Sequence, residues 1–340
     1  MNISIVYNTM NIFAGKTILI TGATGLIGSH LVKKLLEVTN CTIIALGRNM
    51  QKLQDAFKDY KNDGTLILME GDVAEKMPEF ENDFDYIFHA AGPISGEVIR
   101  NYPVSVITPN IMGTIHCLEY LKNRKEGGHA GKMIVFSSAT VYANPMNADC
   151  TVSESETSLA DSLDAANAPY SESKRMSEVI AKSYFKQYGV EVIIARFSYL
   201  YGYSKLAPDT AFYEFVNKSL RGDNLVLNSN CAPRRDNIFV EDAVDGLLCI
   251  CEKGNAGESY NISSGGDGDN FAAIDEIATT IAESANNLLD NVKIKVSFRE
   301  TANERRPGFL LDNKKLKALG WNVNYSLREG IEKTLKTYIS

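Results

Sequence analysis

Two textures of apolar and polar positions alternate through the first two hundred residues. Short apolar runs recur as "TILIT" (17–21), "CTIIALG" (41–47), "TLILMEGD" (65–72), "DYIFHAAG" (85–92), "KMIVFSS" (132–138) and "VEVIIARFS" (190–198). Their length, bounded by turn residues, predicts buried strands. Between them lie stretches of helical period, "LIGSHLVKKLLEV" (26–38), 109–122 and 170–188. Strand and helix in strict alternation predict an α/β fold with a doubly wound parallel sheet. Beyond about Ser198 the pattern becomes irregular, with loop signals in "YGYSKLAPDT", "NSNCAPRRDN" and "SSGGDGDN". Lobes that shape a ligand site are built from such material.

Composition narrows the class. At 340 residues the chain can bury a full core and suits one large domain or a domain plus a lobe. Its 44% hydrophobic and 23% charged residues are those of an ordinary soluble globular protein. The net charge of −7 argues against a nucleic-acid surface. The start lacks the basic, apolar and small-residue regions of a secretory signal, and no apolar run is long enough to cross a bilayer. Six cysteines without a CxxC pair, mostly in apolar segments, suit buried thiols, so the expected location is the cytoplasm. The four histidines are scattered, and no metal site is expected. The acidic, Ser-rich stretch 151–169 reads as a solvated loop placed where it could cover a site.

The segment "TGATGLIG" places Gly22, Gly25 and Gly28 between the first strand and the first helix. Glycines there let the backbone approach a pyrophosphate at the helix N-terminus, with Thr24, Leu26 and Ile27 lining the turn. The second strand ends in Gly47 and Arg48, where an NAD site carries a carboxylate for the ribose hydroxyls. Without that carboxylate a 2′-phosphate is not repelled, and a guanidinium can bind it, so NADP is the first choice and NAD the second. Asp72 with Val73 follows the third strand, where the carboxylate either accepts from the adenine amino group or caps the next helix. Ala90, Ala91 and Gly92 are small residues suited to close passage of the cofactor; His89 beside them reads as packing.

Tyr170 and Lys174, in "PYSESKRMSE", lie four residues apart on a predicted helix and share a face. An ammonium beside a phenol favours the phenolate, which makes tyrosine a usable general base. "SSATVY" supplies hydroxyls at the end of the fifth strand. Together with the glycine turn, these features resemble the extended short-chain dehydrogenase/reductase family, specifically its nucleotide-sugar epimerases and dehydratases. The likeness covers nearly the whole chain. The family's GxxGxxG corresponds to Gly22, Gly25 and Gly28, its YxxxK to Tyr170 and Lys174, and its active-site serine or threonine to Ser138. Its NVxGT element matches Asn110 and Gly113.

The resemblance implies a Rossmann-type dinucleotide-binding domain over 1–197, to which about 236–262 returns, and a smaller C-terminal substrate-binding lobe from 198–235 and 263–340. "RFSYLYG", "RRDNIFVEDAV" and "RRPGFLLDNKKLKALGW" look like the family's later motifs. By that likeness Arg235 and Arg306 clamp the two phosphates of a nucleoside-diphosphate sugar, and Thr140 and Tyr199 contact substrate. Three positions depart from the pattern: Tyr199 stands in place of an asparagine, Ala143 of a glycine and Phe309 of an aspartate.

The implied chemistry has Tyr170 taking a proton from the sugar's C4 hydroxyl, Ser138 bonding the same oxygen, and Lys174 holding the phenolate and the nicotinamide ribose. The family's 4,6-dehydratases carry an Asp-Glu pair just after the serine, and its decarboxylases keep a glutamate; here Ala139 and Thr140 stand there. Epimerisation through a 4-keto sugar is therefore the first reading, since "SSATVY" matches the UDP-galactose 4-epimerase type. An NADPH-dependent ketosugar reductase is the second, and a dinucleotide-binding sensor without turnover the third. The family's mode of dimerisation implies a homodimer, with Ile111, Ile115, Leu118, Val179 and Ile180 available for the interface or for the core.

Overall fold

The computed structural model describes residues 11–60, 63–142, 149–156, 162–301 and 304–340, so Ala143 and part of the acidic stretch lie outside the described residues. In chain order the strands are β1 Thr17–Thr21, β2 Thr42–Gly47, β3 Leu66–Glu70, β4 Tyr86–His89, β5 Lys132–Ser138, β6 Cys150–Val152, β7 Glu191–Phe197, β8 Tyr199–Tyr201, β9 Leu225–Ser229, β10 Arg235–Phe239, β11 Ser259–Ile262, β12 Phe271–Ala272, β13 Val296–Glu300 and β14 Phe309–Leu311. The main sheet has seven strands in the order β11-β7-β5-β4-β1-β2-β3. Every neighbouring pair in it is parallel.

Side chains of these strands alternate between two cores, as the pleat requires. Ile18, Ile20, Ile43, Ile134 and Ile193 face one side, packed with Leu31 and Leu35 of the helix Leu26–Val38 and Leu247 of the helix Val240–Lys253. Leu19, Ile44, Ile87, Met133, Val135 and Val192 face the other, under Cys117, Leu118 and Leu121 of the helix Pro103–Glu126 and Ala181 of the helix Ala168–Tyr188. Because β3 is one edge and the chain then returns to β4 beside β1, the winding reverses between β1 and β4. In open α/β sheets the crevice at such a reversal binds ligands.

A smaller sheet, β12-β10-β14-β6 with β8 on β10, lies alongside, and β9 pairs with β13. It draws β6 from the acidic stretch, which had read as loop: Cys150–Val152 pairs in parallel with Phe309–Leu311. β11 was not legible as a strand either. "SYNI" alternates polar and apolar over only four residues, too short a run to stand out, and all four are buried. Among the described residues no helix is long and apolar enough to cross a membrane.

Candidate functional site

At the reversal, β1 runs into a glycine turn that leads to the helix Leu26–Val38. Gly22 has φ +64°, and a Cβ there would lie 2.8 Å from the backbone of Ala90 and Ala91. Only glycine meets both demands. Gly25 is the N-cap, and no side chain caps the helix, whose first turn holds no acidic residue. That leaves amide donors and the positive end of the helix dipole for an anion. Ala91 N–H donates to Thr21 Oγ1 (3.1 Å), fixing the end of β4 against β1. The arrangement fits a dinucleotide's pyrophosphate passing between Gly22–Gly28 and Ala90–Gly92.

Several residues expected to hold a cofactor turn their side chains away from the crevice. Leu26, Ile27 and Val73 bury their side chains in the two cores, and Thr24 is half-buried in the turn. Asp72 accepts from Ala74 N–H through Oδ1 (2.9 Å) within a turn; no helix follows before β4 for it to cap, and Oδ2 is left for a ligand. Arg48 is exposed, and no ion pair holds it among the described residues. His89 is buried and bonded to Thr21 Oγ1 (2.9 Å). Burial and the nearby Lys174 charge push its pKa down to about 3, so it stays neutral and packs.

The hydroxyl cluster forms where β5 ends against the helix Ala168–Tyr188. Ser138 hydrogen-bonds the Tyr170 phenol, which favours the phenolate, yet burial dominates and raises the phenol above its ordinary value. Lys174 is buried, donates to the Phe136 carbonyl (2.8 Å) and sits 5.9 Å from the Tyr170 ring centre. Burial pushes its own pKa down to about 8. The expectation that the Lys174 ammonium lowers the phenol's pKa is thus corrected: the group that lowers it is the Ser138 hydroxyl, and desolvation carries the net shift upward. Buried Asn110 donates to Ser173 (2.9 Å), while its Oδ1 faces Gly92 without a partner among the described residues. The orphaned acceptor at the crevice is a further feature that a bound ligand would satisfy.

A polar network behind these residues went unrecognised in the sequence. Ser137 donates to Glu178 (2.5 Å), and Arg196 binds both oxygens of Glu178 (2.9 and 2.6 Å). Arg196 also donates to the Tyr142 hydroxyl (2.7 Å), which in turn donates a hydrogen bond to Asn261 Oδ1 (2.8 Å). Tyr142 is therefore packing and network, and Ser137 is a support. Thr140 Oγ1 is buried and has no partner among the described residues.

On the lobe side Arg235 lies with its guanidinium carbon 4.2 Å above the ring of Tyr199, and both are exposed. β8 pairs with β10 so that Tyr199 stands opposite Asn237. Tyr199 also lies within electrostatic range of Tyr170. It therefore links the hydroxyl cluster with Arg235. Arg306 is exposed, and its N–H donates to the Cys231 carbonyl (3.2 Å). Of the residues proposed for a dimer interface, Leu118 is core, whereas Val179 is 53% exposed beside exposed Met176. Among the described residues no three His, Cys, Asp or Glu side chains gather as for a metal ion.

Known proteins resemble this chain in sequence and fold. The profile described as the NAD dependent epimerase/dehydratase family matches residues 18–263. UDP-glucuronic acid decarboxylase 5 of Arabidopsis thaliana is 28% identical over 317 residues, covering 92% of this chain and 86% of that protein. The epimerase Mth375 of Methanothermobacter thermautotrophicus has a TM-score of 0.78 at 20% identity, covering 100% of this chain and 96% of that one. UDP-glucuronic acid 4-epimerase from Bacillus cereus, in complex with NAD, has a TM-score of 0.74 at 23% identity, covering 94% and 96%. The structural likenesses establish the shared fold.

Proposed function

The chain belongs to the NAD dependent epimerase/dehydratase family, and we propose that within it the protein is a nucleotide-sugar 4-epimerase acting through a 4-keto sugar. The observation that carries this reading is the hydroxyl cluster: Ser138 bonded to Tyr170, followed by Ala139 and Thr140. Loss of water across C5 and C6 needs a second acid and base, and neither alanine nor threonine titrates in the working range. The similarity to a UDP-glucuronic acid decarboxylase stands beside this reading, but the position after Ala139 offers a hydroxyl and no carboxylate.

In the proposed mechanism Tyr170 takes the proton of the C4 hydroxyl and later returns it. Ser138 bonds the same oxygen and holds it in line. Lys174, anchored on the Phe136 carbonyl, faces Gly92 and the ribose side of the crevice. The bound nicotinamide supplies reversible hydride acceptance, for which Gly22, Gly25, Asp72 and Ala90–Gly92 would hold the dinucleotide. Arg235 and Arg306 keep the diphosphate while the ketosugar presents its other face.

The reductase is the second reading, favoured by exposed Arg48 after Gly47. Identifying the dinucleotide released from purified protein decides between them, followed by assays with UDP-, dTDP-, CDP- and GDP-sugars. Tightly bound NAD supports epimerisation; an empty site that accepts NADPH supports reduction. If Arg48 binds a 2′-phosphate, Arg48→Ala weakens NADPH binding by about tenfold or more and leaves NADH within about twofold. Equal losses for both would reduce Arg48 to an adenine contact.

A homodimer built on the helices Pro103–Glu126 and Ala168–Tyr188 accompanies this reading, because Met112, Met176 and Val179 leave apolar surface there. Gel filtration at micromolar concentration is expected to show a dimer that Val179→Asp converts to monomer. A monomeric wild type would remove the proposal.

A further inference from the structure

The lobe contains two doubled arginines, Arg234-Arg235 and Arg305-Arg306, and the structure treats the members of each pair differently. Arg234 binds the carboxylate of Glu276 through Nε (3.1 and 2.9 Å) and Nη2. Arg305 forms a fork with Asp275 (2.7 and 2.7 Å). Asp275 and Glu276 are consecutive residues in the first turn of the helix Ile274–Leu288, where the helix dipole favours acids. Arg235 and Arg306 have no ion pair among the described residues. One helix end thus grips the first arginine of each pair and leaves the second exposed.

The two arginine-bearing segments are also fastened to each other. Arg305 donates to the Ala232 carbonyl (2.6 Å), Arg306 N–H to the Cys231 carbonyl (3.2 Å), and Arg235 pairs with Phe309 across β10 and β14. A Cβ on Gly308 would lie 2.0 Å from the Arg234 carbonyl oxygen, so the strands meet at a distance only glycine allows. Asp275 is buried, and Glu276 also accepts from Ala273 N–H (2.8 Å), so neither carboxylate is free to follow a moving arginine.

We infer that Asp275 and Glu276 are positioning residues that set the spacing of Arg235 and Arg306 for a nucleoside diphosphate. The inference rests on the proposed function, in which those two arginines take the phosphates. It makes a prediction opposite in sign to simple charge. A carboxylate near a diphosphate repels it, and Asp275→Asn would also liberate the Arg305 charge. Electrostatics alone therefore has the variant binding the anion more tightly; loss of positioning has it binding more weakly.

Calorimetric titration of UDP and dTDP into NAD-loaded protein tests this. Asp275→Asn is expected to weaken the diphosphate that the wild type binds by roughly tenfold, and Glu276→Gln by roughly threefold. NAD affinity should not change, and Asp275→Glu, which keeps the acceptor fork, should recover most of the loss. Unchanged or tighter diphosphate binding by Asp275→Asn overturns the inference, as does an equal loss of NAD affinity, which marks a general structural role. Should Asp275→Asn fail to fold, Glu276→Gln, whose ion pair is more exposed, decides by the same criterion. A wild type that binds NAD but neither these diphosphates nor CDP or GDP removes the functional reading, and the inference with it.

Discussion

Tyr170→Phe is expected to lower the turnover of the nucleotide-sugar reaction by about a thousandfold, the middle of the range for losing a positioned general base. The hydroxyl alone is removed, so NAD and nucleoside diphosphate should bind as before, and Ser138 keeps its place at the end of β5. The pH profile makes the test specific. A base must be deprotonated, and burial has raised the Tyr170 phenol above its ordinary value despite the Ser138 bond. The rate of the wild type should therefore climb as pH rises from neutrality, because each step upward populates more phenolate. Lys174, whose pKa burial brings to about 8, loses its proton within the same climb and flattens the upper limb. In the phenylalanine variant the slope of the climb should vanish with the rate. A variant that kept wild-type turnover would place the chemistry elsewhere and would favour a dinucleotide-binding protein without catalysis.

The parts of the molecule legible in the sequence are those that local patterns encode. Six apolar runs and the helices between them correspond to strands and helices of the main sheet, although β3, at its edge, is only partly buried, and the glycine turn lies where the winding reverses. What stayed hidden depends on contacts between distant segments. Leu26, Ile27 and Val73 are expected at a cofactor site from their position, but which atoms they present depends on cores that no local spacing reveals. Likewise, nothing around "NSNCAPRRDN" says that the first arginine of the pair is taken by an acid forty-two residues away. β6 was missed because its partner, β14, lies at the far end of the chain. The direction of the phenol's pKa was hidden for a related reason: helical spacing puts Lys174 on the same face as Tyr170 but does not show how deeply the fold buries the hydroxyl.

Arg196→Met should cost about 3–5 kcal/mol of folding stability, the loss expected when one partner of a buried ion pair is removed. The side chains of Arg196 and Glu178 are 12% and 8% exposed and joined by two hydrogen bonds. With the guanidinium gone, the Glu178 carboxylate keeps Ser137 but loses its counter-charge in a place water scarcely reaches. Tyr142 loses a donor in the same step. Urea unfolding followed by circular dichroism measures the change. Arg196→Met combined with Glu178→Leu should be more stable than the single variant, since no buried charge is then left unpaired. A single variant within about 1 kcal/mol of wild type would mean that water or a neighbouring donor replaces the pair. The pair also bears on catalysis. Glu178 sits one turn beyond Lys174 and two beyond Tyr170, while Ser137 precedes Ser138. The same carboxylate thus pins the helix that carries the base to the strand that carries its hydroxyl partner. The double variant, though more stable than the single one, should remain slower than wild type, because apolar side chains can fill that space without fixing the register between helix and strand.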